Sequence, residues 1–222
     1  IHSNTLTTSG APVEFAGGTH AFSPGASIAG DVRLTAGTLD VTHNPTLNGT
    51  LDWVSGNIAG TPNSGATGGR LNVTSAGNVT FAGSANRTLV DATIDNEGAF
   101  NVDTVSSRLF LARADIDNRG VFDLASTGGV VPSTGGGNVN NVGGVIRSSG
   151  GAAAEFSVPV NNVDGRFDTT NGDLTLAAGG THSGALQTLG GPVRFTGGTH
   201  SFAPGATIPG DLELAGATLN VA

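Results

Sequence analysis

Residues 11–34, APVEFAGGTHAFSPGASIAGDVRL, return at 191–214 as GPVRFTGGTHSFAPGATIPGDLEL. Pro12 reappears as Pro192, a shift of 180 positions, and the match carries Ile1–Thr42 onto Thr181–Ala222. The chain therefore holds one complete large repeat, residues 1–180, and the start of the next, 181–222, in a single continuous domain. A shorter rhythm runs inside it, a small residue followed by alternating apolar positions. It reads Ala11-Pro-Val13-Glu-Phe15, Gly30-Asp-Val32-Arg-Leu34, Gly49-Thr-Leu51-Asp-Trp53 and Gly69-Arg-Leu71-Asn-Val73. It continues through Gly98-Ala-Phe100-Asn-Val102, Gly120-Val-Phe122-Asp-Leu124, Gly143-Gly-Val145, Gly165-Arg-Phe167 and Gly191-Pro-Val193-Arg-Phe195. The steps run from 19 to 29 residues, and eight of them fill the large repeat.

Alternation with period two is the signature of a strand, and recurrence near twenty residues lays each strand beside its equivalent in the next turn. No stretch carries a helical period. The fold predicted is all-β, a parallel β-solenoid of about 19–29 residues per coil with three short strands in each. Eight coils at roughly 4.8 Å each rise about 38 Å. The apolar parity assigns Val13, Phe15, Val32, Leu34, Leu51, Trp53, Phe100, Phe122, Phe167 and Phe195 to the core.

Two sets of columns predict contacts between coils. Glu14 and Arg33 lie 19 apart, and the second copy holds Arg194 and Glu213 in their places with the charges exchanged. Stacked neighbours favour opposite signs in either order. Next, ATIDNEGAFNV lies over ADIDNRGVFDL at an offset of 22, which pairs Glu97 with Arg119 and Asp91 with Arg113 on the outside. Asn96 and Asn118 share the parity of the apolar residues and should stack inward at a corner, continued by Asn141 and Asn162.

These Φ-x-N-x-x-G-x-Φ coils, IDNEGAF and IDNRGVF, together with GTLDWVSGNIAG, resemble the β-helical stalks of bacterial surface proteins. Filamentous-haemagglutinin-like adhesins and autotransporter passengers are the groups they are similar to. The resemblance covers most of the chain at the level of pattern. It implies a right-handed parallel β-helix, export and a role at the cell surface, and it supplies no catalytic residue.

Composition removes several function classes. There is no Cys, so no disulfide or thiolate metal site, and no Lys, so no Schiff base or P-loop. A net charge of -8 with nine basic residues argues against nucleic acid as a partner. No apolar run is long enough to span a bilayer.

The candidate chemistry is sparse. His2, His20 and His43 are spaced to approach one another on adjacent coils, but a metal needs three convergent ligands, and the bland alternative is a surface or turn histidine of the repeated GGTH unit. Asp95, Asp115 and Asp117 could form an acidic column able to hold calcium through oxygen ligands, yet Arg113 and Arg119 lie beside it and the calcium-binding nonapeptide is absent. Asp40 with Asp52, or Asp164 with Asp168, are carboxylate pairs for polysaccharide hydrolysis, with no loop to build a cleft around them. The longest turn-like segments, Gly60–Gly69 and Ser126–Gly137, are rich in Gly, Thr, Ser and Pro and carry no charge.

Neither terminus shows a capping helix or charge-rich coil, so more of the same is expected beyond both. The sequence reading is a structural segment of an extracellular fibre or stalk, stacking on itself, without catalysis or cofactor. A module binding surface glycans through the two loops is the alternative, and a polysaccharide-degrading enzyme the third.

Overall fold

The computed structural model describes residues 1–102, 107–125, 128–151 and 153–222. The chain winds as a β-solenoid of about ten turns. Each turn lays one short strand on each of three faces, and the named strands of each face are joined in parallel register. Face I runs from Val13–Phe15 through Val32–Leu34 and Thr50–Trp53 to Gln187–Gly190. Face II runs from Thr19–Ala21 to Leu212–Leu214, and face III from Ser27–Ile28 to Thr218–Val221. One short helical turn, Gly65–Thr67, is found among the described residues, and no helix there is long and apolar enough to cross a membrane.

Alternation puts every second side chain into a continuous core. Phe15, Val32, Leu34, Leu51, Trp53, Phe100, Phe122, Phe167 and Phe195 are all at most 1% exposed. Rings follow one another along the axis, with Trp53–Phe81, Phe81–Phe100 and Phe100–Phe122 centroids 5.4, 5.7 and 4.8 Å apart. Val13 departs from the expectation at 36% exposed, because it opens face I and has a strand, Val32–Leu34, on one side only. Val145 also faces outward; its neighbour Ile146 stacks on Phe122 and Phe167 in the core. Between strands the chain turns on stacked glycines. Gly18, Gly37 and Gly56 have φ of 71, 83 and 86°, and a Cβ on Gly37 would lie 2.4 Å from the Gly18 carbonyl. Only glycine tolerates both the left-handed backbone and the close approach.

The large repeat does not contain a whole number of turns. Val13–Phe15 is on face I, whereas its copy Val193–Phe195 is on face II. The same advance takes Val32–Leu34 from face I to Leu212–Leu214 on face II, and Thr38–Asp40 from face II to Thr218–Val221 on face III. So 180 residues make eight turns and a third, correcting the count of eight coils. The rhythm missed a strand, Gln187–Gly190, whose residues are mostly exposed and lack the alternating apolar pattern. It also counted Leu71 on the wrong face, since Arg70–Val73 belongs to face III. Register partners are 19 residues apart at Glu14 and Arg33 but 31 apart at Ile58 and Leu89, where the Gly60–Gly69 loop is inserted.

Candidate functional site

That inserted loop meets the second one at a corner of the solenoid. Thr61 N donates to the Gly68 carbonyl at 2.7 Å and closes the first loop, while the Thr93 hydroxyl donates to the Ala66 carbonyl at 2.8 Å. Asp91 holds it from beneath, accepting from Gly65 N at 3.0 Å. Asp91 and Arg113 occupy equivalent corners of successive coils, both with positive φ, at 48 and 51°. The Arg113 guanidinium donates to both Asp91 oxygens at 2.7 Å. This pair was expected to lie outside, but Asp91 is 1% exposed. A carboxylate that deep persists because its charge is matched and its lone pairs are filled. The Arg113 hydrogen bonds pull its pKa down to about 2; burial pushes the other way, and the Asn63 and Gly65 N–H groups add to the pull.

The second loop rests on the same arginine. Gly135 packs against the Arg113 stem so closely that a Cβ there would stand 2.3 Å from Cγ. Asp115 then fixes the loop's exit, accepting from Asn138 N at 2.8 Å and from its side-chain amide at 3.1 Å. Between the loops lies a cleft of about 640 Å³, with Asn63, Ser64, Arg113, Asp115, Asn138 and Pro159 among its lining. Of the second predicted segment, Ser126 and Thr127 lie outside the described residues. The sequence marked both loops but gave no sign that they meet, because the Asp91–Arg113 pair that joins them looked like surface charge.

The asparagine column forms a chain of side-chain amides through the interior. Asn96 donates to Asn118, Asn118 to Asn141 and Asn141 to Asn162, each at 2.8 Å, and all four are 0% exposed. The amides of Asn96, Asn118 and Asn162 also cap turn carbonyls, Asn96 donating to Val121 at 3.0 Å, Asn118 to Val145 at 3.1 Å and Asn162 to Gly165 at 3.2 Å. Four buried amides are thus tolerated where one alone would cost free energy.

Outside, arginines sit between carboxylates along the ladder. Arg194 reaches Glu213 at 2.8 Å and Asp173 at 3.2 Å. Arg33 stands in register between Glu14 and Asp52, with no ion pair to either among the described residues. Arg119 turns to Asp95 rather than to Glu97, which corrects the expected pair. Asp95 is held on the strand and already drawn to Arg70 at 2.9 Å, whereas Glu97 projects from an exposed turn. The acidic column is accordingly engaged by protein cations and amides. Arg70 also meets Asp117 at 3.1 Å, and Asn140 donates to Asp117 at 2.8 Å. Arg113, bound to Asp91, takes no part in it.

The remaining candidates separate. Asp40 lies on face II and Asp52 on face I. Asp164 sits at a corner with φ of 54°, while Asp168 is drawn to Arg147 at 3.2 Å. Burial pushes Asp168 up, but hydrogen bonds from Thr170 and Arg147 outweigh it and leave its pKa low; Asp123, on the other side of Arg147, is pushed up by burial. The three form an acid–arginine–acid triplet along the ladder rather than two carboxylates facing a substrate.

His43 is exposed. No group of three metal-ligating side chains comes together among the described residues, and the His2 and His20 ring centroids lie 5.9 Å apart. Their copies are buried, His182 at 1% and His200 at 0%, joined Nε2 to Nδ1 at 3.0 Å. Burial, then the neighbouring charge of His200, lowers the pKa of His182 to about 4. One further residue escaped the sequence reading. Arg87 is 0% exposed, donating Nε to the Trp53 carbonyl at 2.8 Å and lying 4.6 Å over the Phe81 ring. Its guanidinium also caps the carbonyls of Ala82, Gly83 and Ala85. A lone arginine at the head of the strand Arg87–Val90, after a polar turn, gave no signal of this.

No protein-family model, no curated protein and no solved structure matches the chain.

Proposed function

We propose that this chain is a structural segment of an extracellular fibre or stalk, of the kind carried by bacterial surface adhesins, built by stacking copies of one unit. The observation that supports this reading is the joint between the two copies. Residues 181–222 continue faces II and III and the core without a break, Leu174–Leu176 pairing with Val193–Phe195 and that strand with Leu212–Leu214. A unit able to stack on itself in this way adds core and ladder in proportion to length. On this reading the chain catalyses nothing, holds no cofactor and acts outside the cell, its first partner being a further copy of itself.

Electron microscopy of native material containing the sequence tests it. Thin continuous filaments, with features recurring about every 40 Å for eight and a third turns at roughly 4.8 Å each, support the reading. Short capped particles overturn it. The amide column is the part expected to carry load. Asn118→Ala orphans the Asn96 donor and the Asn141 acceptor, at roughly 1–3 kcal/mol for each buried group. Urea unfolding should show that loss; an unchanged midpoint would remove the column from the argument.

A second reading is favoured by the cleft at the two loops. Its polar rim of Asn63, Asp115 and Asn138 suits the hydroxyls of a surface glycan. Binding on a glycan array that is abolished by Asn63→Ala with Asn138→Ala, in a chain still folded by circular dichroism, would establish it. An array without binders would leave the fibre reading alone.

A further inference from the structure

The fibre reading says that units stack; the faces say how. From Val13–Phe15 through Gln187–Gly190 the described residues form twenty-five strands, one more than eight full turns of three. Each corresponding strand of the second copy has accordingly moved one face along. The move is complete, since it includes the position of Ser27–Ile28 on face III. Its copy at Thr207 bridges to Ala185, at the entrance to the face I strand Gln187–Gly190. The outward chemistry moves too, with Glu14 and Arg33 on face I and Arg194 and Glu213 on face II.

We infer that the unit is a face-changing one. In a fibre of tandem copies its surface is displayed on three sides in turn, about 120° and roughly 40 Å from one copy to the next, returning to the first face after three copies and about 120 Å. This rests on the fibre reading for the tandem copies, but the advance itself is a property of this chain. It is permitted because the three faces ask the same thing of a strand, an apolar side chain at every second position, so no strand is tied to one face. Its consequence is an interaction surface. Any group that the unit presents, the two-loop cleft included, is offered around the whole circumference. Two such fibres have no common face along which equal surfaces line up for side-by-side packing.

Paired cysteines test the advance in the full chain, which has no cysteine of its own. Thr175 and Arg194 are register partners on face II. Neighbouring strands at 4.7–4.9 Å bring their Cα atoms within disulfide range. If the copy instead repeated face for face, Arg194 would stack on Asp168, which here pairs with Leu189 on face I. The variant Thr175→Cys with Arg194→Cys should lose its free thiols on oxidation, and Asp168→Cys with Arg194→Cys should keep them. Crosslinking of the second pair overturns the advance, with or without the first. Crosslinking of neither does so as well, by removing the register of the second copy. Microscopy then separates the two ideas. Filaments whose protruding loops emerge at one azimuth keep the fibre and sink the face change, while a crosslinked first pair without filaments keeps the face change and sinks the fibre.

Discussion

The same forty-odd residues stand at both ends of the described chain and meet different neighbours there. The ring stack is almost identical in the two copies. Phe15 and His20 have centroids 4.0 Å apart and Phe195 and His200 3.8 Å; His2 and Phe22 lie at 4.8 Å and His182 and Phe202 at 4.9 Å. Burial is not shared. Val13 is 36% exposed and its copy Val193 0%, while Leu34 is 0% exposed and its copy Leu214 53%. Local sequence therefore sets the shape of a coil, and the coils on either side set what each residue contributes. That is the behaviour expected of a one-dimensional array with nearest-neighbour coupling.

The largest test of this difference is a single truncation made in each copy. Leu34 is packed between Phe15 and Trp53, so Leu34→Ala should cost about 3–4 kcal/mol through lost burial and a cavity. Leu214→Ala, with Phe195 on one side and solvent on the other, should cost less than about 1 kcal/mol. Urea midpoints of the two variants should differ widely. Equal losses would mean that the last coil is covered in solution, and the comparison would fail.

Next in size is acid sensitivity, which belongs to the buried copy. The His182 pKa is held at about 4, below the ordinary histidine value, first by burial. In the unfolded chain it takes up a proton near pH 6.5, well before the folded chain does. Its contribution is therefore complete above about pH 6.5 and is lost as the pH falls toward 4, amounting to roughly 2–3 kcal/mol by pH 4.5. His200, also lowered chiefly by burial, acts in the same direction. His182→Asn should flatten the fall in stability between pH 7 and 4.5 and leave the shape of the curve at higher pH unchanged. A variant with the parent's slope would show that the rings are not buried in solution.

How much of this the sequence revealed depended on whether a residue's role repeats. The amide column was legible because Asn96, Asn118, Asn141 and Asn162 recur at coil spacing on the apolar parity. The register of Glu14 on Arg33 was legible because its copy exchanges the charges. Gln187–Gly190 was not legible, since a strand with mostly exposed side chains has no alternation to read, and with it went the face change. The cleft was missed for a related reason. Its two loops are irregular, and what joins them is one ion pair between a buried carboxylate and a half-exposed arginine, at two corners whose positive φ the residue names Asp91 and Arg113 do not announce. Arg87, solitary and fully buried, was invisible on the same ground.

The smallest effect concerns the exchanged charges, and it bears on why they exchanged. Each copy places an arginine between two acids, Glu14–Arg33–Asp52 in the first and Asp173–Arg194–Glu213 in the second. The second copy is stacked on a coil that supplies Asp173, so an arginine is favoured at 194, one coil earlier than in the first copy. Arg194→Glu sets a carboxylate between Asp173 and Glu213 and should lower the unfolding midpoint slightly at low salt, an effect that fades as salt screens these exposed groups. Adding Glu213→Arg restores the order of the first copy but leaves the new carboxylate beside Asp173. It should therefore recover only part of the loss, and the further change Asp173→Asn should recover the rest. Full recovery by the double variant alone would show that the pair 194–213 is independent of the coil beneath it, and that the exchange of charges owes nothing to the neighbour.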